Sequence, residues 1–245
     1  MKISVITVSY NSAETIADTL RSVAAQQHPD LEHIVIDGGS SDATLSLVAK
    51  YGSHVATLVS EPDRGIYDAM NKGLARATGD IVGFLNADDV FADRNALEAI
   101  DGAMRDADVA YGDLVYVSAR DSGQVVRSWI AGSYSASRLK WGWMPPHPTF
   151  YVRRAAFPDL AFDHQLRIAA DYGFMLRCLR RSGIRVAYVP KVLVHMRMGG
   201  ASNRSLRALW RKSREDLIAI RDNGLAGWLT LVAKNLRKLP QFIKR

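Results

Sequence analysis

The sequence predicts an α/β protein, a mostly parallel sheet flanked by helices, with a helical extension at the C-terminus. Through residues 1–104, apolar strand-like runs alternate with helix-period segments, the pattern of βαβ units. Three successive runs end in polar, glycine-rich or acidic segments: Ser9-Tyr10-Asn11, Asp37-Gly38-Gly39-Ser40 and Asn86-Ala87-Asp88-Asp89. In a parallel sheet those ends share one edge, where open α/β sheets bind their ligands.

Taken in order, Lys2–Val8 reads as a first strand, and Ser12 as the cap of a helix from Ala13 to Gln27 with Ile16, Leu20 and Val23 on one face. Leu31–Asp37 is a second strand, and Asp42 caps a helix reaching Tyr51. A third strand over His54–Ser60 precedes a helix from Gly65 to Thr78, where Ile66, Met70, Leu74 and Ala77 recur at helical spacing. The apolar run Ile81–Leu85 then suits a strand buried on both faces, and Asp93 caps a helix to Met104. Beyond it, Ala110–Ala119 and Gln124–Ala131 form a hairpin across Arg120–Gly123. Trp141 to Pro148 is too rich in Gly and Pro for regular structure. Thr149–Arg153 is a strand, Ile168–Arg181 a helix and Arg185–Val189 a strand. From Ser202 the chain reads as helical to its end, disturbed at Pro240. The organisation expected is one domain over 1–203, with a nucleotide half (1–106) and an acceptor half (107–203), and a basic helical tail over 204–245.

The chain's 245 residues, 48% hydrophobic and 23% charged, are those of an ordinary soluble globular protein. No apolar run is long enough to span a membrane. The N-terminus enters a strand pattern at once, so no signal peptide is expected. The lone Cys178 falls in a predicted helix and reads as a packed thiol. These features lead us to expect a cytoplasmic protein. Residues 204–245 carry 11 basic side chains against 3 acidic, whereas the preceding 203 carry 21 against 22. The net charge of +7 therefore belongs to the tail, and no nucleic-acid groove is expected in the main domain.

The segment at Asn86, Asp88 and Asp89 carries the chemistry. Carboxylates are costly to bury unpaired, and hard oxygen ligands at a strand end suit Mg²⁺ or Mn²⁺ shared with a phosphate. An Asn/Asp turn capping the next helix is the plainer alternative. No Gly-x-Gly-x-x-Gly follows the first strand and no Gly-Lys-Ser/Thr loop appears, which disfavours dinucleotide and P-loop sites.

In these motifs the chain resembles family-two glycosyltransferases of the GT-A fold, with their Rossmann-like sheet. The resemblance rests on Val5–Asn11, Asp37–Asp42, Glu61–Gly73, Leu85–Asp89, Pro146–Phe150, Ala170–Tyr172 and Gly199–Asn203, in that order over about the first 200 residues. It is nearest to enzymes of bacterial surface-polysaccharide assembly, such as those of colanic acid. The resemblance implies an inverting, metal-dependent transfer of sugar from a nucleoside diphosphate donor, UDP before GDP or dTDP, to a glycan or lipid-linked acceptor.

It also implies roles for individual residues. Thr7, Ser9 and Asp37 match positions that contact the base and ribose, and Arg64 and Gly65 match a segment beside the nucleotide. Asp88 matches the last carboxylate of an Asp-x-Asp motif that holds the cation on the diphosphate. Asn86 replaces the first Asp of that motif, and an amide, though it can still hydrogen-bond, adds no charge to offset the cation. Asp171 matches the catalytic base, and a place in the first turn of its helix favours the ionised form. His147 either lines the acceptor pocket or packs, and His195 is a candidate for the metal or a phosphate. Trp141 and Trp143 either stack on an acceptor sugar or form a hydrophobic lid. A non-catalytic sugar-nucleotide or glycan-binding protein is the competing class, favoured only by Asn86. A nucleotidyltransferase would want a first loop with Gly and Lys, and Ser9–Glu14 has neither.

One further expectation concerns the tail. Leu225, Trp228, Leu229, Val232, Leu236, Leu239 and Ile243 recur along one helical face, accompanied by Lys234, Arg237, Lys238, Lys244 and Arg245. Such a helix suits the anionic inner face of the cytoplasmic membrane, lying on it rather than crossing it. Packing against the protein's own domain or a second subunit is the alternative.

Overall fold

The computed structural model describes residues 1–119, 124–199 and 206–237. Its first part is a parallel unit in which β1 (Ile3–Ser9), β2 (Leu31–Asp37), β3 (Val55–Ser60) and β4 (Ile81–Phe84) alternate with α1 (Ile16–Ala24), α2 (Thr44–Tyr51) and α3 (Ile66–Leu74). All seven residues of β1 are buried because β2 and β4 flank it and helices cover both faces. β3 is an edge strand, so its exposure alternates. Strand order is β3-β2-β1-β4. The sheet therefore grows one way from β1 to β3 and then reverses to β4, which opens a crevice at the carboxyl ends of β1 and β4.

The second part adds β5 (Val90–Phe91), α4 (Ala96–Met104), β6 (Val109–Val117), β7 (Val125–Trp129), α5 (Ala136–Lys140), β8 (Tyr151–Arg153), α6 (Ala170–Leu179) and β9 (Val186–Arg197). β8 runs antiparallel between β4 and β6, β9 runs parallel to β6, and β5 pairs with β9, so one mixed sheet carries both halves. Two helices complete the described chain: α7 (Leu206–Asp222) and α8 (Trp228–Leu236).

Several elements differ from their expected bounds. α1 begins at Ile16 because residues 13–15 form a turn, with the Ser12 carbonyl accepting from Thr15 and Ile16. Asp42 does cap the entry to α2, accepting from the Thr44 amide (2.9 Å), and it also ties in Ala13 (3.0 Å). β9 does not stop at Val189. It continues to Arg197, because the register shift beside Gly112 and Asp113 lets Pro190 and Lys191 bulge out of the ladder. The tail is not one helix. Gly224 (φ 66°) donates to Arg221 and Leu225 donates to Ile220, the paired bonds that close a helix end, and only a glycine adopts that backbone freely.

The tail also shares the main core. Leu217, Ala219, Ile220 and Leu231 pack in the same cluster as Trp143, Phe174 and Met175. The α8 backbone sits so close to Gly142 (φ 69°) that an added methyl there would lie 2.4 Å from Lys234. The Arg120–Gly123 turn, Gly200–Asn203, and Lys238, Leu239, Pro240, Ile243, Lys244 and Arg245 lie outside the described residues. Among the described residues no helix is long and apolar enough to cross a membrane.

Candidate active site

The crevice between β1 and β4 gathers the predicted donor residues, though not all in the same way. Asp37 is fully buried at the end of β2, where Ser9 Oγ (3.0 Å), Ser40 Oγ, Ser60 Oγ (2.8 Å) and the amides of Gly39 and Ser40 all donate to it. Burial alone would raise its pKa, but those bonds outweigh burial and hold it below the usual range. Asp37 thereby pins the loops after β1, β2 and β3 into one rim. Thr7 lies deeper and points inward, its hydroxyl 2.9 Å from His33 Nε2. Arg64 is exposed and pairs with Asp68 (3.1 Å), and Gly65 opens α3 with its amide on Asp63 (2.8 Å). Tyr10, 65% exposed, stands at the mouth beside Gly38.

At the end of β4 the polar groups are under-satisfied. Asn86 Nδ2 donates to Asp89 Oδ2 (3.3 Å), while Asn86 Oδ1 and Asp89 Oδ1 are buried with no hydrogen-bond partner. Burial raises the Asp88 carboxyl, and burial together with the charge of Asp88 pushes Asp89 well above the usual range. The positive charge of Arg197 works against both shifts, but its guanidinium is shared with Asp18. Unpartnered oxygens beside a carboxylate pair short of positive charge fit a hard divalent cation. Asp88 and Asn86 would hold it. Among the described residues no three His, Cys, Asp or Glu side chains form a closed cage, so further ligands would come from the bound phosphates.

Asp171 lies in the first turn of α6, within electrostatic reach of His147, which stacks on Phe84 of β4. Its Oδ1 accepts from the Tyr172 amide (2.7 Å) and lies 3.3 Å from the Tyr67 hydroxyl, which also donates to the Ile168 carbonyl (2.8 Å). No hydrogen bond among the described residues reaches Oδ2, which leaves one carboxylate oxygen for an incoming hydroxyl. Burial first, and then the charge of Asp171, raise the Tyr67 phenol above its ordinary range. Tyr116 on β6 lies within electrostatic reach of both acidic centres. Burial dominates its upward shift, and the charges of both Asp89 and Asp171 add to it.

The remaining candidates separate clearly. His147 is buried, stacked on Phe84 (5.4 Å), with Nε2 unpartnered. Burial lowers its pKa against the pull of the Asp171 charge, which favours the neutral imidazole. Trp143 is 5% exposed, and its indole N–H donates to Ala131 (2.8 Å) within the core, so it presents no open face to a sugar. Trp141 is 66% exposed, next to Gly142 and hence to α8. His195 sits on β9 opposite Val90, two residues from Asp88 in sequence, and burial lowers its pKa. Cys178 is buried, with its thiol pushed up to about 12. Arg197, Tyr67, Tyr116 and Glu215 are absent from the sequence-based site. Arg197 lies beyond Val189, where the sequence pattern ends this strand. Tyr67 lies inside the Glu61–Gly73 motif and could have been found there.

The reversing sheet flanked by helices is a GT-A fold. Residues 4–167 match the model of "Glycosyl transferase family 2", and the chain belongs to that family. A PGL/p-HBAD biosynthesis glycosyltransferase of Mycobacterium tuberculosis is 29% identical over 208 residues, 82% of this chain and 78% of the relative. An uncharacterized glycosyltransferase of the same organism is 34% identical over 185 residues, 71% and 68% of the two chains. Two solved structures share the fold. S. aureus TarS 1–349 in complex with UDP-GlcNAc has a TM-score of 0.71 at 21% identity, covering 99% of this chain and 79% of that one. Glucosyl-3-phosphoglycerate synthase from Mycobacterium tuberculosis, in complex with Mn²⁺, UDP and glucosyl-3-phosphoglycerate, has a TM-score of 0.65 at 22% identity, covering 91% and 80%.

Proposed function

We propose that this protein transfers a sugar from a nucleoside diphosphate donor, UDP-linked, to a hydroxyl of a glycan or lipid-linked acceptor in surface-polysaccharide assembly, with inversion at the anomeric carbon. The observation that carries this reading is the pairing of two acidic centres across one crevice. One is buried and short of positive charge; the other has a carboxylate oxygen open to the site. Asp171 Oδ2 takes the proton from the acceptor hydroxyl as that oxygen attacks the anomeric carbon, opposite the departing diphosphate. Ser9, Asp37 and the rim they order hold the nucleotide, and Arg64 and Gly65 border it. A bound Mn²⁺ or Mg²⁺ on Asp88 and Asn86, with His195 as a further candidate, would stabilise the charge on the leaving diphosphate. His147, within reach of the Asp171 charge, orients the acceptor, and exposed Trp141 is a candidate to stack on it.

The same reading places the enzyme peripherally on the inner face of the cytoplasmic membrane. Trp228, Leu229, Val232 and Leu236 are 54–74% exposed on α8, which contains no acidic residue. Arg237, just past α8, has its pKa lowered by burial and by the nearby charge of Arg138, and adds a basic edge. Apolar side chains ringed by cations suit an anionic bilayer. Changing all four exposed residues to Ser should abolish salt-sensitive co-sedimentation with phosphatidylglycerol vesicles. Unchanged co-sedimentation would remove the membrane from this reading.

Calorimetry of UDP binding tests the donor site. Asp88→Ala should lose Mn²⁺-dependent affinity, and equal affinity in both proteins would refute the role of Asp88. A wild-type protein that binds UDP–Mn²⁺ yet turns over no nucleotide sugar would support the non-catalytic binding reading that Asn86 favours.

A further inference from the structure

The base must be held still to work, and the helix that carries it has no cap of its own. The residue at the start of α6 is Ala169, which offers no side-chain acceptor to the first amides. The two amides just ahead of them are held instead. Glu215, on α7 and far along the chain, places Oε2 2.6 Å from the Ile168 amide and 3.1 Å from the Ala169 amide. The Glu215 side chain is buried, so these bonds form away from water, where a charged acceptor binds amides most strongly.

The surroundings make Glu215 a fixed cap rather than a chance contact. Its neighbour Asp216 is ion-paired to Lys234 at 2.5 Å, with both side chains 3% exposed. The Lys234 ammonium lies 3.5 Å from the centre of the Tyr172 ring, the residue that follows Asp171. On the opposite side, the Tyr67 hydroxyl holds the Ile168 carbonyl. The backbone of Ile168 is thus held at both its N–H and its C=O, three residues before Asp171.

We infer that Glu215 is a positioning residue for glycosyl transfer, a cap supplied by the C-terminal helices that fixes the direction of Asp171. The inference rests on Asp171 being the base. A misplacement of about 1 Å in a reacting group can cost about 10²-fold in rate.

Glu215→Met keeps the volume and removes the acceptor, whereas Glu215→Gln keeps one acceptor oxygen. In the full-length protein, Glu215→Met should lower kcat for transfer about 10²-fold per folded molecule while KM for the nucleotide sugar changes less than about threefold. Glu215→Gln should recover most of that loss. A purely structural role would instead lower Tm in both variants and leave kcat per folded molecule unchanged, and that result overturns the proposal. Should Glu215→Met fail to fold, Glu215→Gln against Glu215→Asp, whose shorter carboxylate retreats from Ile168, reads the same geometry. Asp171→Asn is measured alongside. Normal turnover by that variant removes the base itself, whereas an inactive Asp171→Asn beside a fully active Glu215→Met removes only the positioning role.

Discussion

Replacing Lys234 by Met should strongly destabilise the protein although Lys234 lies in a segment that reads as a basic surface. Lys234 Nζ sits 2.5 Å from Asp216 Oδ1, each side chain is 3% exposed, and the same ammonium caps the Tyr172 ring. Burial pulls the Lys234 pKa down while Asp216 pulls it up, the signature of a charge tolerated only because it is paired. Removing one partner of such a pair leaves the other charge buried alone, a cost of about 3–5 kcal/mol. For a chain of this size each kcal/mol shifts Tm by about 2–4 °C, so Lys234→Met should melt about 6–20 °C lower in calorimetry. Adding Asp216→Leu removes the stranded carboxylate and should return most of the loss. A single variant melting within about 2 °C of the parent would refute the buried pair, and with it the docking of α8 on the catalytic domain.

Three further outcomes follow from the structure. Glu32 is held down to about 2 because hydrogen bonds from Ser4, Thr78 and Lys2 outweigh its burial. Its unfolded value lies near 4.5, so it contributes about 3 kcal/mol above that pH, lost as pH falls toward 2. Denaturant titrations of Glu32→Gln should show that deficit at pH 7 and almost none near pH 2; a pH-independent difference would exclude the linkage. Gly142→Val should displace α8, because even a methyl meets the Lys234 backbone, and should cost several kcal/mol by thermal unfolding. An unshifted Tm would show that α8 does not rest there. Asn86→Asp adds a charge beside two carboxylates already short of cations, so the metal-free protein should be less stable and Mn²⁺-dependent UDP binding about tenfold tighter or more by calorimetry. Unchanged Mn²⁺ dependence would place the cation away from Asn86.

The parallel half was legible because burial on both faces leaves a simple trace. Ile81–Phe84 is apolar throughout, and its abrupt end at Asn86 and Asp88 marks the crevice where the strand order reverses. Asp171 was legible as a motif, and its place in the first turn of α6 follows from the helix period. What escaped depends on partners distant in sequence. Pro190 reads as a strand end, and only the register shift on β6 shows that β9 passes it and delivers Arg197 to Asp88 and Asp89. Trp143 reads equally as a sugar platform or a hydrophobic lid, because its contacts with Ala131 and Tyr111 leave no local pattern. The Asn223-Gly224 helix end carried a readable signal, overridden by the apolar period that runs through it. Lys234 was counted with the basic surface, and its burial is fixed by Asp216, 18 residues away.

Release of nucleoside diphosphate from a panel of nucleotide sugars, compared between the wild-type protein and Asp171→Asn with Mn²⁺ present, tests glycosyl transfer most directly. Wild-type protein should consume one donor in an acceptor-stimulated reaction, and Asp171→Asn should be about 10²- to 10⁴-fold slower while binding the nucleotide equally well. Equal turnover by the two folded proteins, or no turnover of any donor by the wild type, would contradict a transferase that uses Asp171 as its base.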